Sequence, residues 1–220
     1  MYNNVKEYLF THYNLIIDKI WETEQGANNK VLKVNTATNE NFVMKLIEEH
    51  LREKLSYEHK VLNFLSEQNL SFNVPAPIKT KYNKTFFFIS EERTIITLYP
   101  FCVGHPLTRN EMDFQEFGIC IGELLSALEN VKNLDDSPYL PTFEIFTDPA
   151  LVNGENWKEL LERTDTVSSN EIAILSDDLN RILTEVKLLK NDLPIQIIHG
   201  DMMASNLLWS DGQISSILDF

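Results

Sequence analysis

Residues 197–220 read IIHGDMMASNLLWSDGQISSILDF, and this stretch decides the fold. His199, Asp201 and Asn206 stand in the arrangement H-x-D-x-x-x-x-N, a close set of groups that can donate, accept and chelate. Ser210-Asp211-Gly212 is an acidic turn signal, and the apolar run Gln213–Leu218 behind it leads into Asp219-Phe220. On the other side, Ile195–Ile198 reads as a short apolar strand entering the loop. Strand, polar loop and β-hairpin together would bring an amide and two carboxylates to one place.

Working outward, residues 1–13 have helical spacing, with Val5, Tyr8, Leu9 and His12 on one side. Strands are expected at Leu15–Thr23, Lys30–Val34 and Asn41–Leu46, separated by the turn-forming Gly26–Asn29 and Thr36–Asn39. A long helix follows from Glu48 to Gln68, burying Leu51, Leu55, Tyr57, Val61, Leu62 and Leu65. Pro75 and Pro77 make the next segment extended. Two further strands are expected at Thr85–Ser90 and Thr94–Tyr99, with Phe86, Phe87 and Phe88 as sheet core. Beyond about Asn110 the character changes to helices at Phe114–Val131 and Glu171–Leu189, with a loop-rich stretch at 135–154 between them. Trp157 and Trp209 read as packing residues. The fold class is α+β: an antiparallel sheet with one long helix (1–101), then a mainly helical lobe (102–220), the boundary falling near Phe101–Pro106.

The 220 residues suffice for a sizeable core. A net charge of −14 argues against nucleic-acid phosphates as partners and suits a cationic small substrate or simple solubility. No apolar run reaches membrane-spanning length, and no secretory signal opens the chain. Cys102 and Cys120 have no metal-type spacing and read as free thiols, which places the chain in the reducing cytoplasm.

Val43-Met44-Lys45 sets a lysine at the end of the third strand, Glu58 follows on the long helix, and the 197–220 loop comes last. In that order the sequence resembles the aminoglycoside phosphotransferase and choline kinase family, kinase-like small-molecule phosphotransferases. His199-Gly200-Asp201, Asn206-Leu207-Leu208 and the hinge Leu98–Leu107 with its G-x-x-L element favour this branch over protein kinases, which usually carry Arg at the position of Gly200. Residues 25–31, QGANNKV, lack a G-x-G-x-x-G and are similar to the short phosphate loop of type II homoserine kinases.

The resemblance implies a protein-kinase-like bilobal fold using ATP and Mg²⁺ to phosphorylate a hydroxyl of a small molecule. Asp201 would be the catalytic base, with His199 as the hydrogen-bonding residue of its loop. Asn206 and Asp219 would hold Mg²⁺. Lys45 would hold phosphates with Glu58 as its partner, Asn29 would lie in the phosphate loop, and Tyr99 and Phe101 would offer main-chain groups to adenine. In isolation each has a plainer role: Asp201 in an Asx turn, Asn206 as a cap, Lys45 as a solvated strand-end lysine. Homoserine, choline or ethanolamine, an aminoglycoside and a sugar-like alcohol all stay open as acceptors. The family's second lobe continues past the metal Asp, so the chain is expected to be truncated there, leaving apolar helix faces that favour self-association. It is then a piece of a longer kinase, a natural truncation, or a lobe completed by a partner. The alternative function is a kinase-like nucleotide-binding or regulatory module without turnover.

Overall fold

The computed structural model describes residues 2–23, 30–111, 113–131, 137–139, 168–189, 192 and 195–220. Asn29, the rest of the 24–29 loop, most of 135–154 and Trp157 lie outside the described residues.

The chain forms two compact units, Met1–Asp136 with Ile197–Phe220, and Ser137–Gln196. The first begins with helix α1 (Tyr2–Tyr13) and strands β1 (Ile17–Glu22), β2 (Lys30–Thr36) and β3 (Asn41–Glu48). A 3₁₀ turn at Glu49–Leu51 leads into α2 (Arg52–Ser66), and β4 (Phe87–Ile89) and β5 (Thr94–Pro100) complete a five-stranded antiparallel sheet in the order β1-β2-β3-β5-β4. The β2–β3 turn closes because Asn39 accepts a left-handed backbone (φ 66°) and Thr36 N–H bonds Glu40 O at 2.9 Å.

Alternation gives the sheet two working faces. Leu32, Val34, Met44, Ile96 and Leu98 pack with Val5 and Leu9 of α1. On the opposite side Tyr99 joins Tyr57, Val61, Leu62 and Leu65 of α2. The interior position of β5, between β3 and β4 and buried on both faces, explains why Ile95-Ile96-Thr97-Leu98-Tyr99 is nearly continuous in apolar character. Phe87 is buried against α1, with its ring 3.9 Å from that of His12, while Phe86 and Phe88 pack beside Ile47, Leu55 and Ile95.

A second, three-stranded sheet is built from β6 (His105–Pro106), β7 (Leu207–Ser210) and β8 (Gln213–Ile217). The β7–β8 hairpin turns on Asp211 and Gly212, both at positive φ (55° and 82°), the geometry a two-residue turn requires. Gly104, at φ 144°, lets the hinge lie against this hairpin, since a Cβ there would sit 3.0 Å from both Leu208 Cβ and Trp209 O. Helix α3 (Phe114–Leu128) buries Cys120, Leu124 and Leu128 against the same core as Leu207, Ile214 and Ile217. Its Glu116 accepts the Ile214 N–H at 2.6 Å, and Asn73 bonds Ser215 and Ile217 through its backbone, so the hairpin is anchored on two sides.

In the second unit, α4 (Ser169–Leu189) starts two residues earlier than periodicity suggests. Ser168 and Glu171 form a reciprocal capping box there, with Ser168 Oγ donating to Glu171 Oε2 at 2.7 Å and Glu171 N–H returning to Ser168 Oγ at 3.3 Å. One expectation is corrected. Ile195–Ile198 is not a strand: it takes part in neither sheet, and Ile195 and Ile198 are more than half exposed, so only Ile197 contributes to the core. Apolar composition without a pairing partner does not make a strand. No helix among the described residues is long and apolar enough to cross a membrane. Both cysteines are free thiols, Cys120 buried and Cys102 partly so.

Candidate active site

The site gathers on the sheet face that carries Lys45 and on the loop before β7. β3 places Lys45 opposite Thr97 of β5, and its ammonium reaches Asp219 Oδ1 at 2.5 Å. These residues are 174 positions apart, and the ion pair joins the strand to the end of the β8 segment. Asp219 holds a left-handed backbone (φ 56°), a conformation Asp tolerates better than most residues, and this turns its carboxylate out of the strand direction. The Lys45 ammonium also stands 5.4 Å from the centre of the Tyr99 ring.

Asp201 and Asn206 are tied to one another. Asn206, buried at the start of β7, donates through Nδ2 to Asp201 O (2.9 Å) and to Asp201 Oδ2 (3.0 Å). Its backbone O accepts from Leu218 N–H at 2.8 Å, linking the loop to the segment that carries Asp219. With Nδ2 committed, Oδ1 is the atom left for other partners, and Ser205 Oγ approaches it only to 3.5 Å.

His199 organises the loop from within. Nδ1 accepts the Asp201 backbone N–H at 3.2 Å, so Nε2 carries the proton and donates to Leu218 O at 2.8 Å. Burial lowers its pKa, opposed by the Leu218 carbonyl and by the charges of Asp201 and Asp219. Its ring lies 4.4 Å from that of Phe220. A neutral imidazole spanning both ends of the site holds its shape.

Glu58 lies in α2 near enough to Tyr99 to raise the phenol's pKa, as Asp219 also does, although burial is the main cause. Lys45 forms an ion pair with Asp219. Tyr99 is buried, so its side chain faces the core. Phe101 N–H is spent on Asn41 O at 3.3 Å, and the Lys33 ammonium stands 4.0 Å from the centre of the Phe101 ring. In the alternation of an antiparallel strand the Leu98 carbonyl faces away from β3, and it does accept Ile78 N–H at 2.7 Å.

A residue that periodicity alone passes over is His59, 2% exposed beneath Lys45. Its imidazole bonds Thr85 Oγ1 and Tyr99 Oη, each at 2.8 Å. The signal was its register, four residues after Leu55 on the apolar stripe of α2, where a polar side chain must find buried partners. Desolvation, and then the charge of Lys45, push its pKa down to about 4.

Residues 21–220 match the phosphotransferase enzyme family. The chain belongs to that family. No curated protein matches it. Among solved structures it is similar to amicoumacin kinase hAmiN in complex with AMP-PNP, Ca2+ and Ami, at 15% identity and a TM-score of 0.69, covering 98% of this chain and 62% of that chain. The microcompartment-associated aminopropanol kinase gives 12% identity and a TM-score of 0.69, covering 99% of this chain and 68% of that one. The macrolide 2'-phosphotransferase MphH from Brachybacterium faecium, as apoenzyme, gives 17% and 0.60, covering 99% and 71%. At such identities the likeness is one of fold, and this phosphotransferase-family chain has the kinase-like α+β fold. It spans 62% of the length of the amicoumacin kinase chain.

Proposed function

We propose that this chain carries the nucleotide and catalytic-loop portion of an ATP-dependent phosphotransferase that moves the γ-phosphoryl group to a hydroxyl of a small molecule. The observation that carries the reading is the meeting of Lys45 and Asp219 at 2.5 Å, next to a loop in which Asn206 fixes Asp201. A phosphoryl-transfer site needs a cation for the phosphates, hard oxygen donors for a metal and a carboxylate aimed at the acceptor hydroxyl. Residues 1–101 are read as the nucleotide lobe and 102–220 as the lobe bearing the catalytic loop.

Asp201 takes the role of base: its carboxylate is exposed on one side while Nδ2 of Asn206 restrains the other. It would orient the acceptor hydroxyl and receive its proton as the bond to phosphorus forms. Lys45 would neutralise phosphate oxygens once released from Asp219. Pro100 O, which lies two residues beyond Leu98 O and on the same side, and Cys102 N–H are the main-chain pair suited to adenine, in place of Phe101 N–H. The donor chemistry fits Mg²⁺. Asp219 carboxylate and Asn206 Oδ1 are hard oxygen ligands, and no cluster of three His, Cys, Asp or Glu among the described residues offers a complete protein cage. Two protein oxygens completed by phosphate and water are how this ion is usually held. When bound, it would supply charge neutralisation between the phosphates.

Titration of the chain with ATP, with and without Mg²⁺, tests this by thermal shift. ATP at about a hundred times its Kd should stabilise the fold by roughly 2.7 kcal/mol. The shift should depend on Mg²⁺ and vanish in Asp219→Ala. A folded chain that shows no shift at any ATP concentration rejects the reading for this polypeptide.

A further inference from the structure

Helix α2 and strand β5 meet at a buried polar circuit directly behind Lys45. His59 Nδ1 is 2.8 Å from Thr85 Oγ1, and Nε2 is 2.8 Å from Tyr99 Oη and 3.5 Å from Thr97 Oγ1. Thr97 Oγ1 donates to the Thr85 carbonyl at 3.1 Å. A neutral imidazole has one ring nitrogen that donates and one that accepts, and hydroxyls can do either, so His59 bonds Thr85 Oγ1 and Tyr99 Oη at the same time. Thr85, His59 and Tyr99 are thereby joined in one buried chain of hydrogen bonds, with Thr97 tied to the Thr85 carbonyl.

Its outlet is the Tyr99 ring, whose centre lies 5.4 Å from the Lys45 ammonium. A lysine has a flexible stem and a compact charge, so a fixed ring beneath it narrows the positions that charge can occupy. Tyr99 is also the residue before Pro100, where β5 ends and the hinge begins. We propose that His59 is a positioning residue that locks Tyr99 through its hydroxyl, and that this lock aims Lys45 at the phosphates and steadies the hinge, setting nucleotide affinity. This rests on the phosphotransferase reading of Lys45. His59 touches neither nucleotide nor acceptor and acts through Tyr99.

The test measures binding of a nonhydrolysable ATP analogue with Mg²⁺ by calorimetry to the whole chain and four variants. His59→Leu and Tyr99→Phe should each raise Kd by about tenfold, and the double variant should be no worse than the poorer single one. His59→Gln, whose amide can offer Tyr99 Oη a donor or an acceptor in place of the ring nitrogen, should stay within about twofold of the parent. A purely structural His59 would lower the melting temperature in His59→Leu without that rescue pattern in Kd. Folded His59→Leu and Tyr99→Phe that bind as the parent does would overturn the proposal, as would His59→Gln losing as much as His59→Leu. Should His59→Leu not fold, Tyr99→Phe, which lacks a single oxygen atom, decides the matter. Absence of analogue binding by the parent chain is a different result: it removes the phosphotransferase reading and this inference together.

Discussion

Asn206 shows how a single amide can set a site. Its nitrogen is shared by the carbonyl and the carboxylate of Asp201, so the side chain is held in one of its two flips and its oxygen is directed elsewhere. Asn206→Asp would replace that donor by a charge facing another carboxylate at a buried position. We expect a loss of about 2 kcal/mol in urea denaturation near neutral pH, and unchanged stability would show that the bond is not formed in solution. Residue types such as Asp201, Asn206 and Asp219 were legible because they stand at the ends of short apolar runs, and Lys45 because it is a charge set among apolar neighbours, although it lies inside β3 and not at the strand end expected from the sequence. Partnerships were less so. That Lys45 meets Asp219, and that His59 finds Thr85, Thr97 and Tyr99, depends on strand register and helix rotation across many tens of residues, which no local pattern encodes.

At the scale of elements, ends are decided by caps and strands by neighbours. Asp113 caps α3, its Oδ1 accepting from Gln115 N–H at 2.8 Å and more weakly from Glu116 N–H at 3.4 Å. Asp113→Ala should cost about 1 kcal/mol in chemical denaturation while Asp113→Asn stays near neutral; equal losses in both would point to the charge rather than the cap. The five strands of the first sheet and helices α1 to α4 were readable from alternation, turn residues and apolar stripes. Two features were not. The two-residue strand β6 is too short to show a period. Ile195–Ile198 has strand composition but no ladder, because the hairpin takes its third strand from His105–Pro106 instead. α4 begins at the capping box of Ser168 and Glu171, ahead of the first residue that apolar periodicity marks.

Across the whole molecule, the buried His59 ties stability to acidity. Its pKa is about 4 in the fold against an ordinary 6.5, so the unfolded chain takes up a proton that the folded chain refuses. The contribution is therefore complete above pH 6.5 and is lost as pH falls towards 4, amounting to roughly 3 kcal/mol across that window. Denaturation midpoints measured at pH 7, 5.5 and 4.5 should fall accordingly, and the slope should flatten in His59→Gln. An unchanged slope in that variant would assign the acid sensitivity to other groups.

The Lys45–Asp219 pair has a further consequence in time. A ribosome makes the chain from one end, and Asp219 is added 174 residues after Lys45. At roughly 5–20 residues per second this is a wait of about ten to thirty seconds. During it β3, β5 and α2 can assemble from contacts close in sequence, yet Lys45 is without Asp219 and Tyr57, Val61, Leu124 and Leu128 lack the hairpin residues Leu207, Ile214 and Ile217 that complete their core. Nascent chains paused before Leu207 should therefore be sticky and protease-sensitive, and extension through Asp219 is the step that makes them compact.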